Sequence, residues 1–218
     1  MLTDPDGLNE LRRLGARSVP VLSRGDDWIF AQNLSHVAKF AGINEDMGPK
    51  LSPDQLVQRL VLFIRTAIPI IRQMPDEALS LETPGRPRTY RVLGHHMMRI
   101  PEATVLVANG AELYNGIMTD GLTDAIQTAD DIGAYGTEVL AKVESWWAAK
   151  ADKSGKEMVA TYYGPQSLHE MLERSTWHCG QHVRQWFMLL GMAGVTPSVT
   201  LDDSAFVGLP MPTDVWDG

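Results

Sequence analysis

The chain has 218 residues, 44% of them hydrophobic and 21% charged, with 27 acidic against 19 basic side chains and a formal net charge of −8. That length supports a sizeable core, the acidic balance argues against a phosphate-backbone partner, and the dispersed apolar residues argue against disorder and membrane spans. The single cysteine, Cys179, excludes an intramolecular disulfide, a Cys-x-x-Cys redox centre and a cysteine-rich zinc knuckle.

The first residues, Met-Leu-Thr-Asp-Pro-Asp, carry acid where a signal peptide needs a basic stretch followed by an apolar one, so a cytoplasmic location is expected. Leu8, Leu11 and Leu14 then space a short helix, residues 18–22 and 28–30 read as two strands across an Arg-Gly-Asp-Asp turn, and a helix follows over 35–41. This αββα element, assigned to residues 1–46, is too small to hold a core alone and should dock on the remainder or on a second subunit. Two prolines, a glycine and mixed charges within 44–53 mark a linker.

Residues 47–218 carry four long helical patterns. The first opens on Ser52, Pro53 and Gln55, a capping-box pattern, and buries Leu56, Leu60, Phe63, Ala67, Ile70 and Met74; Pro69 should kink it and Pro75 end it. The second, about 89–109, aligns Leu93, Met97, Ile100, Thr104 and Val107, with a bend expected at Pro101. The third, about 123–149, starts at Thr123-Asp124 and buries Ile132, Val139, Val143 and Trp146, with Gly133 and Gly136 weakening its first half. The fourth starts at Gly164-Pro165, carries Leu168, Met171, Leu172, Trp186, Leu189 and Leu190, and stops at Gly191, Gly194 and Pro197. The fold class is mainly α: a four-helix bundle with a small N-terminal αββα element and an irregular tail over 198–218 laid on the bundle.

Of the six histidines, His178 and His182 carry the most information. Residues four apart on a helix stand one above the other, close enough for two imidazoles to share a divalent cation, and both fall on the apolar stripe that faces the core. Six histidines make such spacing common by chance, but a buried neutral imidazole needs a partner for each ring nitrogen. A third ligand should come from a facing helix, where His95 and His96 are the candidates; His96 lies nearer the buried stripe, and His95 is the alternative. Three imidazoles leave a divalent metal an open position, as a catalytic site requires. The contrasting reading makes all three ordinary hydrogen-bonded core histidines. His169 reads as solvated, His36 as surface or interface, Cys179 as a helix-packing residue, and Arg99, Arg184 and Gln185 as groups able to orient a substrate or a ligand. No general base is identifiable.

Two resemblances follow from these motifs. Ser175-Thr-Trp-His-Cys-Gly-Gln-His-Val-Arg-Gln-Trp in the fourth helix and Leu93-Gly-His-His-Met-Met-Arg-Ile in the second resemble the DinB/YfiT-like superfamily of metal-binding four-helix bundles over roughly 52–195. That resemblance implies a divalent metal on His96, His178 and His182, zinc first with nickel or iron as alternatives, a homodimer, and chemistry in which a low-molecular-weight thiol attacks a small molecule. Separately, Asp4-Pro-Asp-Gly-Leu-Asn-Glu-Leu-Arg-Arg-Leu-Gly-Ala-Arg-Ser-Val-Pro-Val-Leu is similar to the second half of a glutaredoxin, with Pro20 at its cis-proline and glutathione as the implied ligand. The preceding strand, helix, strand and active-site cysteine of that fold are missing, which excludes oxidoreductase activity. The expected function is a metal-dependent, glutathione-type S-transferase or isomerase acting on a small electrophile, with no nucleic-acid or membrane partner. The alternatives are a metal-dependent hydrolase that activates water and a non-catalytic metal-binding module.

Overall fold

The structure, a computed structural model, describes every residue except 1–3, 17, 18, 46, 115, 119, 217 and 218. The chain divides into two compact units, Met1–Gly48 and Pro49–Gly218.

In the first unit, α1 (Pro5–Leu14) begins where the Asp4 carboxylate accepts from the backbone N–H groups of Asp6 and Gly7, and it closes on Gly15 in the left-handed region. Strands β1 (Val21–Arg24) and β2 (Asp27–Phe30) form an antiparallel hairpin with Val21 opposite Phe30 and Arg24 opposite Asp27. The first strand therefore starts later than the sequence pattern suggested; Ser18 lies outside the described residues. Helix α2 (Leu34–Ala41) is capped by Asn33 and closed by Gly42. Among the described residues of this unit only Asn33 and Ala38 are buried, which fits an element without a core of its own.

The second unit is built on α3 (Pro53–Arg72), α4 (Tyr90–Ala108), α5 (Ala129–Ala149) and α6 (Leu168–Met192). Helices α3 and α4 each pack along both α5 and α6, whereas α3 barely meets α4, so consecutive helices α3 and α4 occupy diagonal corners and α4 lies directly against α6. None of the described helices is long and apolar enough to cross a membrane.

Local chemistry sets the helix ends. Ser52 and Gln55 form the reciprocal capping box of α3, which runs through Pro69 and closes at Gln73, two residues short of Pro75. There the Met74 N–H turns to the Ile71 carbonyl, and the Ile70 carbonyl accepts the indole N–H of the fully buried Trp186. Helix α5 starts at Ala129, about six residues later than the pattern suggested. Residues 123–127 turn on themselves instead, with the Thr123 hydroxyl and carbonyl accepting from Ala125 and Ile126, and the capping box falls to Thr128 and Asp131. Its buried tryptophan is Trp147, whose indole donates to Asp54, rather than Trp146.

Helix α6 likewise begins at Leu168, not at Gly164-Pro165, because β3 (Met158–Val159) and β4 (Gln166–Ser167) form a short antiparallel pair that delivers Ser167 as its cap. Gly191 sits inside the helix; Gly194, at φ +73°, is the residue that ends it.

Glycines on the helix faces permit close approach. A Cβ at Gly180 would lie 2.8 Å from the Phe63 ring, and one at Gly136 would lie 2.9 Å from Met98 Sδ. The tail folds back on the bundle through Phe206, which stacks on Phe63 at 5.3 Å, and through backbone carbonyls at 212–215 that accept from α6 side chains.

Candidate metal centre

The contact of α4 with α6 brings three imidazoles together. His96 faces His178 and His182, which stand one turn apart on α6, and one ring nitrogen from each lies within 4.8 Å of the others. Ring centroids are 5.3 Å apart for His96 and His178, 5.0 Å for His96 and His182, and 4.7 Å for His178 and His182.

Two of the rings have their tautomer fixed. His96 Nδ1 lies 2.6 Å from the Met118 carbonyl oxygen, which can only accept, so Nδ1 carries the proton and Nε2 keeps its lone pair. His182 Nδ1 lies 2.7 Å from Gln185 Oε1. The amide orientation of Gln185 is itself determined, because its Nε2 donates to the Val215 carbonyl at 2.9 Å, which leaves only the oxygen to face the imidazole. His182 Nε2 is then a buried lone pair with no hydrogen-bond partner among the described residues. Such an orphan costs roughly 1–3 kcal/mol.

Burial also keeps the site uncharged. It holds the His96 pKa down to about 4, and it pushes His178 and His182 well below the ordinary imidazole range, with the neighbouring rings adding to the effect. At neutral pH the cluster therefore presents neutral nitrogen donors. Three neutral imidazoles, two with their second nitrogen tied to an oxygen acceptor, are the donor set that zinc and similar divalent ions take. The residues present fit such an ion.

A cavity of about 200 Å³ opens beside the rings, with His96, His178, Tyr114, Tyr162 and Arg174 in its wall. Its roof is the segment after α4. Arg99 Nε donates to the Ile117 carbonyl, His96 holds the Met118 carbonyl, and Leu113 pairs with 160–162 through two backbone hydrogen bonds. A larger cavity of about 450 Å³ lies between the tail and the outer face of α6, against Arg184, Phe187 and Phe206, and includes none of the three histidines.

The remaining candidates lie elsewhere. His95 is buried and stacks on Tyr135 of α5 at 5.1 Å, beside a network in which Glu102 accepts from Arg99, Lys142 and Tyr135. Burial raises the Glu102 carboxyl, but those hydrogen bonds outweigh it and hold the pKa at about 2. His95 is thus part of the α4–α5 interface and not of the three-ring cluster. His169, expected in solvent, is half-buried, with Nε2 at 2.7 Å from the Leu51 carbonyl. His36 is half-buried in α2. Cys179 is fully buried 3.9 Å from the Met97 carbonyl, and burial pushes its thiol up to about 12, so it is a packing residue with no thiolate at neutral pH. Arg184 holds the Pro212 and Thr213 carbonyls. Pro20 belongs to the other unit, exposed and preceded by a cis peptide bond.

Sequence reasoning missed the Met118 carbonyl, which carries no side-chain signal. It also missed Arg174, although its place four residues before His178 puts it on the same face of α6 as the two histidines.

No family model and no curated protein matches this chain by sequence. Solved structures do match its fold. YfiT from Bacillus subtilis, described as a probable metal-dependent hydrolase with an unusual four-helix bundle topology, is 16% identical with a TM-score of 0.54 over 70% of this chain and 93% of that one. A DinB-like protein from Bacillus cereus is 21% identical with a TM-score of 0.52 over 67% of this chain and 95% of that one. The chain has a DinB-like four-helix bundle fold. Neither structure is a glutaredoxin, so the likeness of residues 1–46 to that fold has no support from them.

Proposed function

We propose that this chain is a metal-dependent enzyme that holds a divalent cation on His96, His178 and His182 and acts on a small electrophilic molecule admitted through the adjoining cavity. The observation that carries this reading is His182 Nε2, a buried lone pair with no partner among the described residues, in a ring clustered with two further imidazoles and fixed in that tautomer by Gln185 and the tail. A core histidine kept for packing would have both nitrogens satisfied. When bound, the cation supplies a Lewis acid with an open position, able to polarise the electrophile and lower the pKa of an incoming nucleophile.

The protein's own residues do the rest. Gln185 and the Met118 carbonyl orient two rings, burial keeps all three neutral and free to donate, and Tyr114 and Tyr162 line the adjoining cavity. The description of YfiT as a probable metal-dependent hydrolase favours water as the nucleophile. A low-molecular-weight thiol such as glutathione is the variant of the same chemistry that the family resemblance implies, and zinc is the first choice of metal.

Metal analysis of untagged protein, purified without an affinity metal, tests the reading. We expect about one equivalent of a divalent metal in the wild type and a large loss in His178→Ala. A metal-free wild type that fails to take up added zinc overturns the proposal. Product analysis with small esters, amides and alkyl halides, with and without glutathione, separates hydrolysis from thiol transfer.

A further inference from the structure

The helix that presents His178 and His182 presents a third residue on the same face. Arg174 precedes His178 by four residues, as His178 precedes His182, so the three stand in one row along α6. Arg174 lines the cavity with His96 and His178, its guanidinium lies 5.5 Å from the centre of the Tyr163 ring, and its Nη1 lies 4.0 Å from Met118 Sδ. These contacts place the guanidinium at the cavity wall.

No Asp or Glu is among the described residues that line this cavity. A guanidinium at the wall of a small cavity is suited to an oxyanion, with which it forms charge-assisted hydrogen bonds.

We infer that the cavity receives an anionic group of the substrate, a carboxylate or a phosphate, and that Arg174 is the residue that binds it. This rests on the metal-site reading for its place in catalysis but not for the binding itself. The cavity, about 200 Å³, has room for a small acid.

The test titrates full-length protein, both metal-free and with one equivalent of zinc, with acetate, inorganic phosphate and neutral acetamide, following the imidazole signals of His96 and His178 by nuclear magnetic resonance. We expect saturable shifts with acetate or phosphate in the metal-free protein, no comparable response to acetamide, and weakening as salt rises. Arg174→Gln should raise Kd at least about tenfold and Arg174→Lys by less. Tighter binding of phosphate identifies a phosphorylated substrate class, and tighter binding of acetate a carboxylic acid; either supports the proposal. Acetamide binding as well as acetate in the wild type overturns it without recourse to any variant, as does an unchanged Kd in a folded Arg174→Gln. Loss of zinc binding with anion binding retained would remove only the metal reading, and the converse only this one.

Discussion

His182 shows how one side chain gains a role from its neighbours. Its ring is held by an amide that is itself held by a backbone carbonyl, so Gln185→Leu should free the imidazole to rotate and to exchange tautomers. We expect metal affinity to fall about 10- to 100-fold in that variant, read by chelator competition, with the fold retained. His96 gives a pH dependence. An imidazole in the unfolded chain titrates near 6.5, whereas burial holds that of His96 at about 4 in the folded chain. Between those values the unfolded state takes up a proton that the folded state refuses, so acid favours unfolding. The metal-free protein should keep its stability above about pH 6.5 and lose on the order of 3 kcal/mol from His96 alone as pH falls to 4. Urea denaturation from pH 7 to 4 measures this, and a flat profile would refute it. The i, i+4 histidine pair was legible in the sequence because helix geometry is local. The buried stripe already favoured His96 over His95, and the packing of α4 supplies the reason, pointing one ring at α6 and the other at Tyr135 of α5.

At the level of elements, the four helices could be read from periodicity because each buries one stripe, and the capping box at Ser52 marked the start of α3 to the residue. The starts of α5 and α6 were displaced because their caps, Thr128 and Ser167, follow turns stabilised by contacts that periodicity does not register, such as the acceptance of the Ala129 N–H by Asp76 and the pairing of β3 with β4. Gly133 and Gly136 looked like weak points of α5. At Gly136 the tertiary structure supplies the reason, since Met98 and Ile68 occupy the space of a side chain. The three glycine environments predict different outcomes for alanine. Gly180→Ala drives a methyl into the fully buried Phe63 ring and should cost roughly 1–3 kcal/mol. Gly136→Ala meets the flexible Met98 thioether and should cost less. Gly191→Ala meets nothing within 4 Å inside a helix and should stabilise by about 0.5–1 kcal/mol. Denaturant unfolding of the three variants gives the order directly.

Across the whole molecule, the tail links the end of the chain to the centre of the bundle. Removing residues 211–218 takes away the carbonyls that hold Gln181, Arg184 and Gln185. The truncated protein should retain its helical content, measured by circular dichroism, yet bind metal more weakly than the full chain; equal affinity would separate the tail from the site. The diagonal placement of α3 and α4 has a different consequence. It sets α4 against α6, so the three imidazoles come from helices that are remote in sequence and meet only after the bundle has closed. An ion on these rings would act as a reversible cross-link between α4 and α6, absent from the unfolded chain. By mass action it should add about 4 kcal/mol at a free concentration 1,000 times its Kd. Unfolding would then be slowed until the ion is lost, and the escape rate of the ion would set the lifetime of the native bundle.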